Sequence, residues 1–317
     1  MVQNAKTSNA GQAIFWADLA KWGPDKPPSA CDLPFALQHC RRIARSHYEN
    51  FTVVSWFLPR ALRQDFYNFY AYCRWSDDFA DEVEDHRRLP LLNWWHQQLS
   101  LCYSGRPAHP VMFALQQTIQ RHQIPVDPLE DLLSAFRQDQ AKLRYVDDRE
   151  LLDYCQKSAN PVGRVILKFA KADNAMNVGL SDLICTGLQI ANFCQDMARD
   201  AANNRIYAPR DLSAKHGVSE TMILEAKCTP PLQALLADWV GSSRQFFSDG
   251  RELVDSVPKW LAIDVDLFIR GGLGILRAIE SQRYDVWSRR PSLSKFAKFK
   301  LLYQSLVFRI SRKTRHG

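Results

Sequence analysis

The sequence has no predominantly apolar run of the ~18 residues that a helix needs to cross a bilayer, which argues against a membrane-spanning helix. Its first residues, Met1 to Gln12, are polar and lack the basic n-region and apolar h-region of a secretory signal. The expected setting is therefore cytoplasmic, soluble or peripheral. No Gly/Ser linker, low-complexity tract or internal repeat divides the chain, so one domain is expected although 317 residues leave room for two. The eight cysteines form no CxxC pair and no zinc-like Cys/His spacing, which favours reduced thiols, several of them small core residues. Strand-like alternation bounded by hairpin signals is absent. Gly271-Gly272-Leu273-Gly274 is not a dinucleotide fingerprint, because no strand precedes it and the spacing is wrong.

What is present is a helical pattern on an ample apolar supply, 46% hydrophobic and 11% aromatic residues. After a polar start, a short amphipathic segment at Phe15-Trp16 and a break at Pro24, Pro27 and Pro28, periodicity predicts helices nearly throughout. They fall at about 32–47, 50–57, 60–83, 90–104, 109–122, 127–142, 148–159, 162–173, 178–202, 219–227, 230–255, 263–283 and 293–309. Breakers such as Pro59, Pro90, Pro125, Pro161, Pro209, Pro230-Pro231, Pro258 and Pro291 separate them. The fold class is all-α. The formal net charge is +7, and part of the excess sits in Arg309-Ile310-Ser311-Arg312-Lys313-Thr314-Arg315. Such a tail either solubilises the chain or meets an anionic membrane surface or polyanionic ligand. Nucleic acid is disfavoured, since no recognisable binding motif accompanies the charge.

Two acidic stripes carry the chemistry. In Arg74-Trp75-Ser76-Asp77-Asp78-Phe79-Ala80-Asp81, positions 74, 77, 78 and 81 share one helix face. Three carboxylates there are either a solvated face or ligands for a divalent cation, and an all-oxygen set favours Mg²⁺. Further along, Gln189, Asn192, Asp196 and Asp200 form a second stripe that begins within the uncharged run Leu183 to Cys194. Carboxylates beside a buried run need a cation or hydrogen bonds. Facing each other across a bundle, the two stripes would hold Mg²⁺ ions with a diphosphate between them, leaving an apolar interior for a hydrocarbon chain. Arg74, Arg199, Arg205 and Arg289 are candidate contacts for the developing negative charge, although a surface ion pair is the plainer role for any one of them.

These ordered motifs resemble the squalene/phytoene synthase family, the head-to-head isoprenoid synthases, from about Ala36 to Lys300. Asp77-Asp78-Phe79-Ala80-Asp81 matches its first metal motif, with Arg74 before it. Asn192, Asp196 and Asp200 match the second, preceded by Gln189. Tyr154-Cys155 matches the opening of its central helix, His47 with Phe51 and Leu58-Pro59 its start, and Tyr284 to Arg289 a segment ending in a diphosphate-binding arginine. The resemblance implies a single-domain class I isoprenoid synthase bundle with a central apolar cavity over about 31–305. A polar segment (1–30) would precede it and a basic tail (306–317) follow it. It also implies metal ligation by Asp77, Asp78, Asp81, Asn192, Asp196 and Asp200. Substrate or diphosphate binding falls to His47, Asn50, Arg74, Gln189, Arg199, Arg205 and Arg289.

Departures from the family pattern are similar to its hydroxysqualene synthase branch. They are Glu49-Asn50 in place of Lys-Ser, Asn160-Pro161 in the central helix, and Gln195 with Arg199 in the second motif. That branch takes presqualene diphosphate to hydroxysqualene in squalene/hopanoid biosynthesis. A presqualene diphosphate synthase and a flavin-dependent oxidoreductase are its functional neighbours. On this reading Mg²⁺ is the cofactor and NADPH is not expected. Glu49 and Gln195 would position or deprotonate the attacking water, and Tyr154 would stabilise the cation or relay a proton. Glu49 pairing with Arg45 is the plainer alternative. Pro161 should break the helix near Asn160. Phe51, Phe57, Tyr67, Tyr70 and Phe193 are candidate cavity walls. The alternative reaction is head-to-head condensation of prenyl diphosphates to presqualene diphosphate, dehydrosqualene or phytoene. The basic tail is the candidate for contact with the inner face of the membrane.

Overall fold

A computed structural model describes residues 9–26, 31–46, 58–225 and 227–293. The expected sites His47, Glu49, Asn50, Phe51 and Phe57, and the basic tail, lie outside them. Among the described residues the chain is helical between its turns, with one isolated parallel bridge from Arg144 to Ile206. All eight cysteines are free thiols. No helix of the described residues is long and apolar enough to cross a membrane. Internal contacts divide the chain into two compact units, one ending at Ala141 and the other beginning at Lys142.

The first unit contains α1 (Asn9–Trp22), α2 (Leu33–Ser46), a 3-10 turn at Arg60–Leu62, α3 (Arg63–Asp81), α4 (Asp85–Tyr103), α5 (Pro110–His122) and α6 (Asp127–Asp139). The 1–30 segment, set apart by its composition, thus contributes a packed helix. In α2, Ala36, His39, Cys40, Ile43 and Ala44 are buried at steps of three and four, as an amphipathic helix on a core requires. Asp32 Oδ1 accepts the Phe35 amide at 2.8 Å and caps its start. Pro90 lies inside α4 instead of ahead of it. So near the N-terminus it removes one helical hydrogen bond without ending the helix.

Aromatic packing fixes α3. Trp75 stacks on Trp95 at 5.2 Å, with His109 4.5 Å from Trp75 and Phe79 closing the group. His109 Nδ1 accepts the Val111 amide at 3.2 Å, which caps α5 and assigns the ring proton to Nε2. Polar groups in this core are paired across helices. Asn68 donates to the Ala114 carbonyl and to Thr118, and Thr118 donates to Asp65, each at 3.0 Å. Trp95 Nε1 donates to Ser76 Oγ at 3.1 Å. These bonds hold α3 in one rotational setting, so the face carrying the acidic stripe is fixed.

The second unit contains α7 (Asp148–Ser158), α8 (Asn160–Ala170), α9 (Ala175–Ala202), α10 (Arg210–Lys215), α11 (Glu220–Leu224), α12 (Pro230–Asp249), α13 (Leu253–Ser256) and α14 (Lys259–Ser281). The expected break falls at Ala159, with Pro161 in the first turn of α8, and Asn160 Oδ1 accepts from Thr186 at 3.1 Å. The expected 230–255 helix instead ends at Asp249. A Cβ on Gly250 would lie 2.6 Å from Ile184 Cγ1 and 2.9 Å from the Leu180 carbonyl. Only glycine permits that approach to α9. The Gly271–Gly274 cluster is a packing feature of α14: a Cβ on Gly272 would meet Phe247 Cζ at 2.3 Å.

Candidate active site

Each acidic stripe is paired with arginine within its own unit. On α3, Arg74 lies between the carboxylates one turn on. Its Nη1 is 2.8 Å from Asp77 Oδ2, its Nε donates to Asp78 Oδ1 at 2.9 Å, and its Nη2 also pairs with Asp78. The same face continues down the helix as Tyr70 and Tyr67, so carboxylates give way to aromatic rings at i−4 and i−3 steps. Burial pushes the Asp77 carboxyl up to about 7 and the Asp78 carboxyl up to about 6, with Arg74 pulling the other way. Asp81 is the last residue of α3, and Glu82, its C-cap, donates its amide to the Asp78 carbonyl at 2.9 Å.

The second array lies on α9. Gln189 is buried, Asn192, Asp196 and Asp200 are part-buried, and successive members sit about one turn apart. An arginine from the segment after α14, Arg290, reaches this stripe. Its Nε donates to Asp196 Oδ1 at 2.5 Å and its Nη2 donates to Asp196 Oδ2 at 3.0 Å and to Gln195 Oε1 at 3.1 Å. Arg199 Nη1 stands 3.6 Å from the same carboxylate. Gln195 in turn donates from Nε2 to the Pro291 carbonyl at 2.6 Å. Both ends of the Gln195 amide therefore hold the segment after α14, with one N–H and one oxygen lone pair beyond these two bonds. That segment is shaped by Asp285, which accepts the Trp287 and Ser288 amides at 3.1 and 3.0 Å. Arg289, one of the expected arginines, and Arg290 are both exposed residues, and it is Arg290 whose guanidinium bends back onto Asp196. The Arg289-Arg290 pair before Pro291 was the signal for Arg290, but spacing does not reveal which of two adjacent side chains turns inward.

An aromatic wall adjoins this array. Phe193, next to Asn192, stacks on Tyr207 at 4.1 Å, and Tyr154 lies 6.2 Å from Phe193, 5.9 Å from Tyr207 and 5.6 Å from Tyr145. Tyr207 and Arg205 are held by the strand-like pairing of 143–146 with 206–211, where the Ile206 amide donates to the Leu143 carbonyl at 3.0 Å. Arg144 fastens the preceding turn by donating to Asn204 Oδ1 at 2.7 Å and to Glu220 at 2.6 Å. The Arg205 amide donates to the Asp200 carbonyl at 2.8 Å. Carboxylates, guanidinium groups and π faces thus meet on one stretch of α9.

Among the described residues, no three His, Cys, Asp or Glu side chains converge as a ready-made metal cage. The donors fit Mg²⁺ without one. They are hard oxygens, and Mg²⁺ keeps several waters while taking one or two carboxylates plus substrate phosphate oxygens.

The squalene/phytoene synthase family profile matches residues 44–297. A hydroxysqualene synthase of Rhodopseudomonas palustris is 31% identical over 247 residues, covering 76% of this chain and 83% of that protein. A phytoene synthase of Arthrospira platensis is 26% identical over 283 residues, covering 83% and 90%. Among solved structures, squalene synthase HpnC from Alicyclobacillus acidocaldarius superposes with a TM-score of 0.77 at 39% identity, covering 81% of this chain and 98% of that one. The chain belongs to the squalene/phytoene synthase family of isoprenoid-biosynthesis enzymes, and within it is similar to the hydroxysqualene synthase (HpnC) branch.

Proposed function

We propose that this enzyme is a hydroxysqualene synthase that converts presqualene diphosphate and water to hydroxysqualene and diphosphate. The observation that carries the reading is the joining, on α9, of an oxygen-rich array to the aromatic wall of Tyr154, Phe193 and Tyr207. Loss of a diphosphate needs the first, and the carbocation it leaves behind needs the second. The higher identity to hydroxysqualene synthases than to phytoene synthase supports this product over its alternatives.

Asp77, Asp78 and Asp81 on α3, and Asn192, Asp196 and Asp200 on α9, would hold Mg²⁺. When bound, the metal neutralises charge on the departing diphosphate. Arg74 and Arg290, already paired with these carboxylates, supply guanidinium groups for the same anion once the carboxylates turn to metal. The C–O bond to diphosphate breaks with its electron pair leaving on oxygen. The cyclopropane then rearranges and opens to an allylic cation, with the π faces of Tyr154 and Phe193 beside it. Water adds through oxygen and gives up one proton, for which Glu49 is the proposed base. The aromatic wall keeps other water away until that step.

The head-to-head transferase reading rests on the phytoene synthase relative, which covers most of this chain. Product analysis by mass spectrometry separates the two. Presqualene diphosphate with Mg²⁺ should give hydroxysqualene, and none without the metal. Product from farnesyl diphosphate alone would refute the water-capture assignment.

A further inference from the structure

The family match begins at residue 44, yet α1 lies upstream of it and is packed on the helix that carries the first acidic array. On α3 the acidic face is 74, 77, 78 and 81, and the adjoining stripe is 75, 79 and 82. The ring contacts and the hydrogen bond from α1 fall on that adjoining stripe. The buried Phe15 ring meets Trp75 edge-on at 5.6 Å and Phe79 at 5.8 Å. Gln12 Nε2 donates to Glu82 Oε2 at 2.6 Å. Gln12 with 82 and Phe15 with 79 and 75 is the order of two antiparallel helices in register over one turn. A separate fastening ties α1 to α2, where buried Asp18 accepts from Arg42 Nη2 at 2.8 Å and faces His39 Nε2 at 3.4 Å.

The place of these contacts matters because Asp81 is the last residue of α3 and Glu82 its C-cap. Terminal turns fray, and their carbonyls have no partner further along the helix. A carboxylate on a fraying turn has no fixed direction, whereas metal affinity depends on ligands held in place beforehand. Gln12 secures the capping residue itself, and Phe15 secures the two aromatic residues that alternate with the carboxylates.

We propose that α1 is a positioning element of the first array. Gln12 and Phe15 hold the last turn of α3 so that Asp77, Asp78 and Asp81 are presented together to a divalent cation. This rests on the metal-binding reading above, and the test separates the two. Full-length protein carrying Asp196→Asn and Asp200→Asn, which silences the second array, is titrated with Mn²⁺ by paramagnetic resonance. Amide exchange over 79–83 is followed in the metal-free protein. Gln12→Ala and Phe15→Ala should each speed that exchange and weaken Mn²⁺ binding about fivefold, the scale of one charged hydrogen bond or one aromatic pair. Gln12→Glu, which keeps the size but opposes Glu82, should be at least as weak as Gln12→Ala. Unchanged Mn²⁺ affinity in these variants, at temperatures where all are fully folded, overturns the positioning role and leaves α1 a stabilising helix only. Absence of Mn²⁺ binding to the parent protein overturns the metal reading and the proposal with it. Turnover of presqualene diphosphate, measured on the unmodified chain, bears on the reaction alone.

Discussion

On the proposed metal reading Arg290 would compete with the cation for Asp196, and its removal should make that competition measurable. The guanidinium makes contacts of 2.5 and 3.0 Å to the carboxylate and 3.1 Å to Gln195. A shielded, charge-assisted pair of this kind contributes about 2 kcal/mol. Because 39% of the Arg290 side chain is exposed, solvent screening lowers that to about 1 kcal/mol. A cation that takes Asp196 must first displace this pair, so Arg290→Ala should tighten metal binding about fivefold. The measurement is a Mn²⁺ titration in a background of Asp77→Asn and Asp78→Asn, which silences the first array. Arg290→Lys retains the charge without the two-pronged geometry and should fall between parent and alanine variant. Gln195→Ala, which releases the segment but keeps the guanidinium, should tighten binding less than Arg290→Ala. An alanine variant that binds Mn²⁺ equally or more weakly would show that Arg290 does not oppose the metal, and the competition argument would fail.

Three further outcomes are expected. Glu49→Gln should lower hydroxysqualene formation by about a hundredfold, the usual scale of a lost general base, while undiminished formation would remove Glu49 from the water step. Asp264 is 2% exposed with neither carboxyl oxygen hydrogen-bonded, and burial pushes it up to about 8. The folded form therefore keeps a proton that the unfolded form has lost, and stability should fall by about 3 kcal/mol between about pH 5.5 and 8; Asp264→Asn should abolish this part of the slope in urea unfolding, and an unchanged slope would refute the assignment. Gly272→Ala places a methyl 2.3 Å from Phe247 Cζ and should destabilise the fold by about 1–3 kcal/mol, read as a lower Tm; an unchanged Tm would refute the close packing of α14 on that ring.

The sequence made the helices and both acidic stripes legible because each rests on local spacing. Proline at 161 marked the α7–α8 break for the same reason, since its lost amide acts on the turn before it. The misses are tertiary. Pro90 is tolerated near the N-terminal end of α4, and Gly250 ends α12 because α9 passes close behind it. The helix α1 was legible only as a short amphipathic segment at Phe15-Trp16, because its apolar residues Ile14, Phe15, Trp16, Leu19 and Trp22 fall on more than one face. Arg290 was hidden by its neighbour, as both are arginines in a turn whose path is set by Asp285 and Gln195. Gln195 was legible as a departure from pattern, but its partner 95 residues away in a loop was not.

The indole pair behind the first array has a spectroscopic consequence. Trp75 and Trp95 lie 5.2 Å apart and nearly parallel at 17°, with Trp94 tilted 5.7 Å from Trp95. Chromophores at that separation couple, and their near-ultraviolet circular dichroism reports their mutual angle. Trp75 is two residues from Asp77 on the same helix, so a change in the pitch of that turn alters the coupled signal. The protein thus carries an intrinsic optical gauge of its own acidic helix, readable without a label.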